Sequence, residues 1–245
     1  MDERTKLTEV GLDRGKGDLI NHKKSSYDDE IIVIGAGRGG YETAIKAAQM
    51  GKKEAVVESG DSGGVGLSEG GVPTQHFIRT ANLYTEIKEA KKFAIEGVEL
   101  SNIRVDMEKL QKRKQTVVKT LVNGVKGILS KNKVSMIIGH ASFLDKHTII
   151  VDQKSYTADY FIVATGSEVF VPPFISQEGK TNVVTSKEAL DILKVPESVA
   201  IIGGGVIGIE FAHVFSSLGS AVTVLELMDD ILPMVDEEVS QMVKR

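Results

Sequence analysis

One strand–turn–helix–strand pattern occurs twice in this chain, once near each end, and few folds accommodate such a pair. The first copy runs Ile31-Ile32-Val33-Ile34, Gly35-Ala36-Gly37-Arg38-Gly39-Gly40, a helical stretch to Met50, then Glu54-Ala55-Val56-Val57-Glu58. The second runs Val199-Ala200-Ile201-Ile202, Gly203-Gly204-Gly205-Val206-Ile207-Gly208, a helical stretch to Leu218, then Ala221-Val222-Thr223-Val224-Leu225-Glu226. In both, a glutamate lies 18 residues past the third glycine, Gly40 to Glu58 and Gly208 to Glu226. A lone G-x-G-x-x-G is weak evidence, because glycine turns are common. Two in the same βαβ context predict an α/β chain with parallel strands and two dinucleotide sites.

Each residue type in the pattern has a physical reason. The first glycine makes the tight turn out of the strand, the second lets backbone approach a pyrophosphate, and the third lets helix and strand pack closely. The helix N-terminus then offers unpaired N–H groups and partial positive charge to phosphate. A carboxylate at the tip of the second strand accepts hydrogen bonds from a ribose diol and disfavours a 2′-phosphate. No arginine closely follows Glu226, so the second site reads as NAD rather than NADP. The bland alternative is that these glycines only make βα turns.

At 245 residues, with 41% hydrophobic and 26% charged side chains, the chain has room for one large or two modest domains. Its net charge of −4 gives no reason to expect nucleic acid. No apolar run is long enough for a membrane span, and residues 1–28 lack a signal-peptide core, so the cytoplasm is the expected compartment. Without cysteine, disulfides and thiolate metal sites are excluded. The expected organisation is a flexible extension over 1–28, a first nucleotide domain over 29–167, and a second over 168–245. Between the copies, a glycine-rich loop is expected over 60–72 and a helix from Pro73 to about Phe93. A second helix over 106–131 carries an apolar stripe from Met107 and Leu110 to Ile128 and Leu129. Its Lys109, Lys112, Arg113, Lys114 and Lys119 read as a solvated face rather than a binding surface. Short strands follow at Val134–Ile138, Ala141–Leu144, Thr148–Val151 and Tyr156–Tyr160. Phe161–Ser167 reads as a buried strand ending in a small-residue turn, and a short helix is expected near 186–193.

These phrases, with GHASF, YFIVATGSE and ILPMVDEEV, make residues 29–245 similar to the two-dinucleotide-fold flavoproteins, the pyridine nucleotide–disulfide oxidoreductases. Within that family the resemblance is to dihydrolipoamide dehydrogenases. It implies a Rossmann-like, three-layer FAD/NAD(P) fold with two cofactors. Gly35, Gly37, Gly40 and Glu58 would take the FAD pyrophosphate and ribose, and Gly63 and Gly64 would begin the loop along the flavin. Ala141 would lie by the adenine, and Thr165 and Gly166 would close over the FAD. Gly203, Gly205, Gly208 and Glu226 would hold NAD, with Glu210 near the nicotinamide. Arg38 stands where the family usually has proline; it would either touch pyrophosphate or point to solvent. The resemblance also implies association with a 2-oxo-acid dehydrogenase complex.

The departures bear on activity. The family's redox loop carries two cysteines and a lysine; here Gly66, Gly71 and Gln75 stand in their places. Glycine cannot attack a disulfide, so thiol–disulfide exchange is not expected at this loop. The family's later Gly-Asp segment and its His–Glu acid/base pair have no counterpart in these residues, so the fold is expected to be incomplete at the C-terminus. The missing part would come, if at all, from a separately encoded C-terminal half. The expected product is a dihydrolipoamide dehydrogenase-like flavoprotein that binds FAD and NAD without oxidising dihydrolipoamide alone. Alternatives are a non-catalytic nucleotide-binding or interaction module, and an NADH:flavin oxidase of diaphorase type. His22, His76, His140, His147 and His213 are scattered, and His76 reads as a surface or packing residue.

Overall fold

The computed structural model describes residues 26–175 and 182–244. Most of the expected N-terminal extension lies outside these residues. Its last part is seated on the fold: Tyr27 stacks on His147 with ring centroids 4.7 Å apart, and Asp28 accepts a hydrogen bond from the Thr157 hydroxyl at 2.8 Å.

Four parallel strands form the first layer's backbone: β1 (Asp29–Ile34), β2 (Glu54–Glu58), β3 (Ser135–Ile138) and the long β6 (Lys154–Val163), in the order β3-β2-β1-β6. Their β-branched residues face both ways, as strands covered on both sides require. Ile32, Ile34, Ala55 and Val57 pack against Ile149, Val151 and Ala158 of an antiparallel meander, β4 (Ala141–Asp145), β5 (Thr148–Val151) and the start of β6. Val33 and Val56 pack on the opposite face against Ala44 of α1 (Arg38–Gln49) and Val125 and Leu129 of α4 (Met107–Lys131). Helices, parallel sheet and meander are thus the three expected layers. Gly51, left-handed at φ +78°, ends α1, and the Asp106 carboxylate caps α4 by accepting from the Lys109 N–H at 3.0 Å.

The second copy forms a separate parallel pair, β7 (Ser198–Ile202) and β8 (Ala221–Leu225), with α6 (Val206–Leu218) between them. A third core cluster joins the two copies. In it Phe77 and Ala81 of α3 (Gly71–Lys88), Met107 and Leu110 of α4, and Leu190 just after α5 (Ser186–Ala189) pack against Phe211, Val214 and Phe215 of α6. The other face of the β7–β8 pair leaves Ile202 and Leu225 exposed. The chain ends in α7 (Glu237–Lys244). No helix among the described residues is long and apolar enough to cross a membrane.

Four local expectations are corrected. The glycine-rich loop is largely helical: α2 (Gly64–Ser68) fills its middle, and α3 already begins at Gly71, with Pro73 in its first turn. Tyr156–Tyr160 and Phe161–Val163 are one strand, half-exposed rather than buried, because β5 pairs only with its first four residues and the far edge beyond them is open. The helix near 186–193 stops at Ala189. Lys114 is not on a solvated face. It is buried, its Nζ donating to the Leu190 carbonyl at 2.7 Å and to the Asp191 carboxylate at 2.6 Å, beside Gln111 Nε2, which donates to the Leu190 and Ile192 carbonyls.

Candidate functional site

Both glycine turns are built by the same set of contacts. Where β1 ends, the Gly35 N–H donates to the Val57 carbonyl at 2.8 Å; where β7 ends, Gly203 donates to Leu225 at 2.8 Å. Both glycines are left-handed, at φ +105° and +109°. The next residue's N–H is taken by the strand-tip carboxylate: Ala36 donates to Glu58 Oε2 at 2.7 Å, and Gly204 to Glu226 Oε2 at 2.6 Å. A Cβ on Gly40 would lie 1.8 Å from the Gly35 carbonyl oxygen, and one on Gly208 would lie 2.0 Å from that of Gly203. These glycines are therefore demanded by helix–strand contact alone.

The second glycine of each turn is different. Gly37 and Gly205 are the N-caps of α1 and α6 and have negative φ. A Cβ on Gly205 would meet nothing within 4 Å, and one on Gly37 only the Gly64 Cα at 3.8 Å. The fold does not need glycine there for its own packing. Bare backbone at a helix N-terminus, with its unpaired N–H groups, fits a pyrophosphate.

Each strand-tip carboxylate also accepts from the backbone that follows its strand. Glu58 accepts from the Gly60 N–H at 2.8 Å, and Glu226 from Leu227 and Met228 at 2.7 and 2.9 Å. The N–H groups of Met228, Gly204 and Leu227 hold the Glu226 carboxyl below the usual carboxylate range. It is thus anionic wherever a ribose hydroxyl would approach.

Around the first turn the other sequence candidates converge. Gly63, left-handed at φ +107°, donates to the Ala36 carbonyl at 2.7 Å, and a Cβ on Gly64 would lie 2.8 Å from the Gly37 Cα. Ala164 and Thr165, at the end of β6, press on Gly35, where a Cβ would meet the Ala164 oxygen at 2.2 Å. Gly166 follows at φ +76° in open space. Ala141 begins β4, two residues past Gly139, whose N–H donates to the Glu58 carbonyl at 2.9 Å. Arg38 turns along its helix to pair with Glu42 at 3.3 Å, and its side chain is 87% exposed. That is the solvent-facing reading of the two.

Gly66 and Gly71 are exposed at the α2–α3 junction, and a Cβ on Gly71 would sit 2.9 Å from the Gly66 carbonyl oxygen. No side chain at either position can carry electrons. Gln75 reaches across to α6 and donates to Glu210 at 3.1 Å, while His213 of α6 meets Asn82 of α3 at 2.6 Å. Sequence reasoning misses these pairs, although it singles out Gln75 and Glu210 individually. His76 is half-buried, its pKa lowered by burial and by Arg113 and Lys114. No cluster of His, Asp and Glu among the described residues could hold a metal ion.

The chain is similar to known proteins over most of its length. Residues 29–245 match the family described as pyridine nucleotide-disulphide oxidoreductase. The chain is 42% identical over 218 residues to dihydrolipoyl dehydrogenase from Acholeplasma laidlawii, covering 87% of this chain and 64% of that protein. It is 38% identical over 216 residues to a dihydrolipoyl dehydrogenase from Bacillus subtilis, covering 86% and 47%. Among solved structures it resembles the HOCl-induced flavoprotein disulfide reductase of Escherichia coli, with a TM-score of 0.74, 26% identity and coverage of 88% and 46%. The chain thus spans about half the length of most of these relatives.

Proposed function

The chain belongs to the pyridine nucleotide-disulphide oxidoreductase family, and from that premise we propose that it holds FAD at the Gly35–Gly40 turn and NAD at the Gly203–Gly208 turn, without thiol–disulfide chemistry. The observation that carries this reading is the shared construction of the turns beside a redox loop with glycine at positions 66 and 71. At the first turn, Gly37 and Gly64 leave backbone bare for a pyrophosphate, Glu58 takes the ribose, and Thr165-Gly166 closes the far side. At the second, Gly205 and the start of α6 face the pyrophosphate, and Glu226 takes the ribose. Its carboxylate, beside Asp229 and Asp230, repels a 2′-phosphate, which favours NAD over NADP. Bound FAD would supply a two-electron acceptor for a nicotinamide hydride. This chain's residues would orient the two nucleotides and offer no thiol to pass electrons onward.

Dihydrolipoamide is therefore not a substrate of this chain by itself. Purified protein should carry flavin absorbance and give no NAD reduction with dihydrolipoamide. Turnover above a buffer blank would refute the proposal, as would protein that takes up neither FAD nor NADH. Cytoplasmic location and association with a 2-oxo-acid dehydrogenase complex are part of the same proposal.

The ribose role of Glu226 has its own test. Glu226→Ala removes an anionic acceptor, and charge-assisted hydrogen bonds contribute about 1–3 kcal/mol. Titration calorimetry should show NADH binding weakened by roughly that amount, with FAD unaffected. Equal NADH affinity in the two proteins would rule the role out.

A further inference from the structure

The two turns share one more contact, and in the second copy it comes from a residue outside the nucleotide fingerprint. In the first copy the carbonyl of the turn's second residue, Ala36, accepts from left-handed Gly63 at 2.7 Å. In the second, the Gly204 carbonyl accepts from Leu232 at 2.7 Å, and Leu232 is left-handed too, at φ +54°. Leu232 lies at nearly the same distance along the chain from its turn as Gly63 does from its own. A buried, γ-branched residue seldom adopts this conformation, and it persists only where its surroundings over-determine it.

Those surroundings form a strap. The Ser240 hydroxyl of α7, itself buried, donates to the Ile231 carbonyl at 2.6 Å. Gln241 donates to Asp230 at 3.2 Å, and Lys244 pairs with the same carboxylate. Ile231 packs over Gly204, where a Cβ would meet its side chain at 3.0 Å. Gly204 is therefore gripped on both sides, its N–H by Glu226 and its C=O by Leu232. The first turn has a further support: Ala164 donates to the Ile34 carbonyl at 2.8 Å and its own oxygen lies over Gly35. At the second turn a Cβ on Gly203 would meet nothing within 4 Å. Among the described residues, Leu232 takes at the second turn the place that Gly63 takes at the first.

We infer that Leu232 is a positioning residue of the second nucleotide site: its backbone N–H, held by α7 through Ser240 and Ile231, fixes the turn that faces the NAD pyrophosphate. The inference rests on the NAD reading above. It assigns the work to the main chain of residue 232 rather than to its side chain, and two substitutions separate them. Leu232→Pro removes the N–H and forces φ to about −65°. Leu232→Gly keeps the N–H and accepts φ +54° freely, while losing the packing.

The test is NADH titration of the full chain and both variants, with amide hydrogen exchange of the Gly203–Gly208 turn measured without ligand. Leu232→Pro should weaken NADH about tenfold, the loss of one buried hydrogen bond from a preorganised site, and speed exchange at the turn. Leu232→Gly should stay close to the unsubstituted chain in both, and FAD binding should be unchanged in all three. If Leu232→Pro binds NADH as well as the unsubstituted chain does, the strap has no such role. If Leu232→Gly is the weaker of the two, the leucine side chain is what matters and the inference falls. If the unsubstituted chain does not bind NADH, the functional reading fails and takes this inference with it.

Discussion

Gly40→Ala is expected to destroy the first βαβ unit, while Gly39→Ala, one residue away on the same helix, is expected to leave it intact. A Cβ on Gly40 would stand 1.8 Å from the Gly35 carbonyl oxygen and 3.4 Å from Val33 Cγ1, whereas one on Gly39 would meet nothing within 4 Å. The oxygen belongs to backbone fixed by the Gly35–Val57 hydrogen bond and by the Ala164 contact, so it cannot yield. Helix α1 must lift instead, pulling buried Ala44 and Ala47 off the sheet and breaking the turn at Gly37. Overpacking that forces such a shift costs about 3 kcal/mol or more, several degrees in melting temperature for a chain of this size. Gly39→Ala exchanges a poor helix former for a good one, a change of up to about 1 kcal/mol in the opposite direction. Urea unfolding followed by circular dichroism compares the two. Equal midpoints would show that the helix does not need the third glycine.

That contrast also marks how far the sequence is legible. G-x-G-x-x-G with flanking apolar strands fixes local geometry so tightly that β1, β2, β7 and β8, and the turns between them, follow from spacing. The reason is physical: the first and third glycines are held by backbone–backbone contact, which depends little on the rest of the protein. The α4 stripe is legible for the same reason of periodicity, although Leu121 and Ile128 lie partly exposed.

The misreadings arise where tertiary contact overrides composition. Glycine's low helix propensity suggests a loop over 60–72, yet Gly64–Ser68 is helical. Charge alone assigns Lys114 to solvent, although it lies four residues past Leu110 and seven past Met107, inside the buried stripe. Only the fold reveals why a cation belongs there: the chain leaving α5 brings the Leu190 carbonyl and Asp191 to it. The Leu232 strap carries no sequence signal, because nothing in ILPMVDEEV says that a leucine will be left-handed. Its counterpart, Gly63, is found through the resemblance.

Glu54→Gln is expected to stabilise the chain at pH 8 and to change little at pH 5. Glu54 opens β2 on the helix-facing side of the sheet, only 5% exposed, and its Oε2 has no hydrogen-bond partner. Neighbouring β1 presents two further carboxylates there, Asp29 and Glu30. The adjacent ammonium groups are engaged with these, Lys53 lying 3.8 Å from Asp29 and Lys52 2.9 Å from Glu30. Burial first, then the charges of Asp29 and Glu30, push the Glu54 carboxyl up from 4.5 to about 7. Burial raises that of Asp29 as well, partly opposed by Lys53. A group with a raised folded pKa keeps its proton in the folded state after the unfolded chain has released it. Its stabilising contribution is full below pH 4.5 and is lost progressively as pH rises to about 7. The loss is on the order of 1–3 kcal/mol. Glutamine has the same shape and never ionises, so Glu54→Gln should flatten this decline. Urea midpoints at pH 5 and pH 8 for both proteins decide the matter. A Glu54→Gln variant that loses as much stability between the two pH values as the unsubstituted chain would show that the decline arises elsewhere.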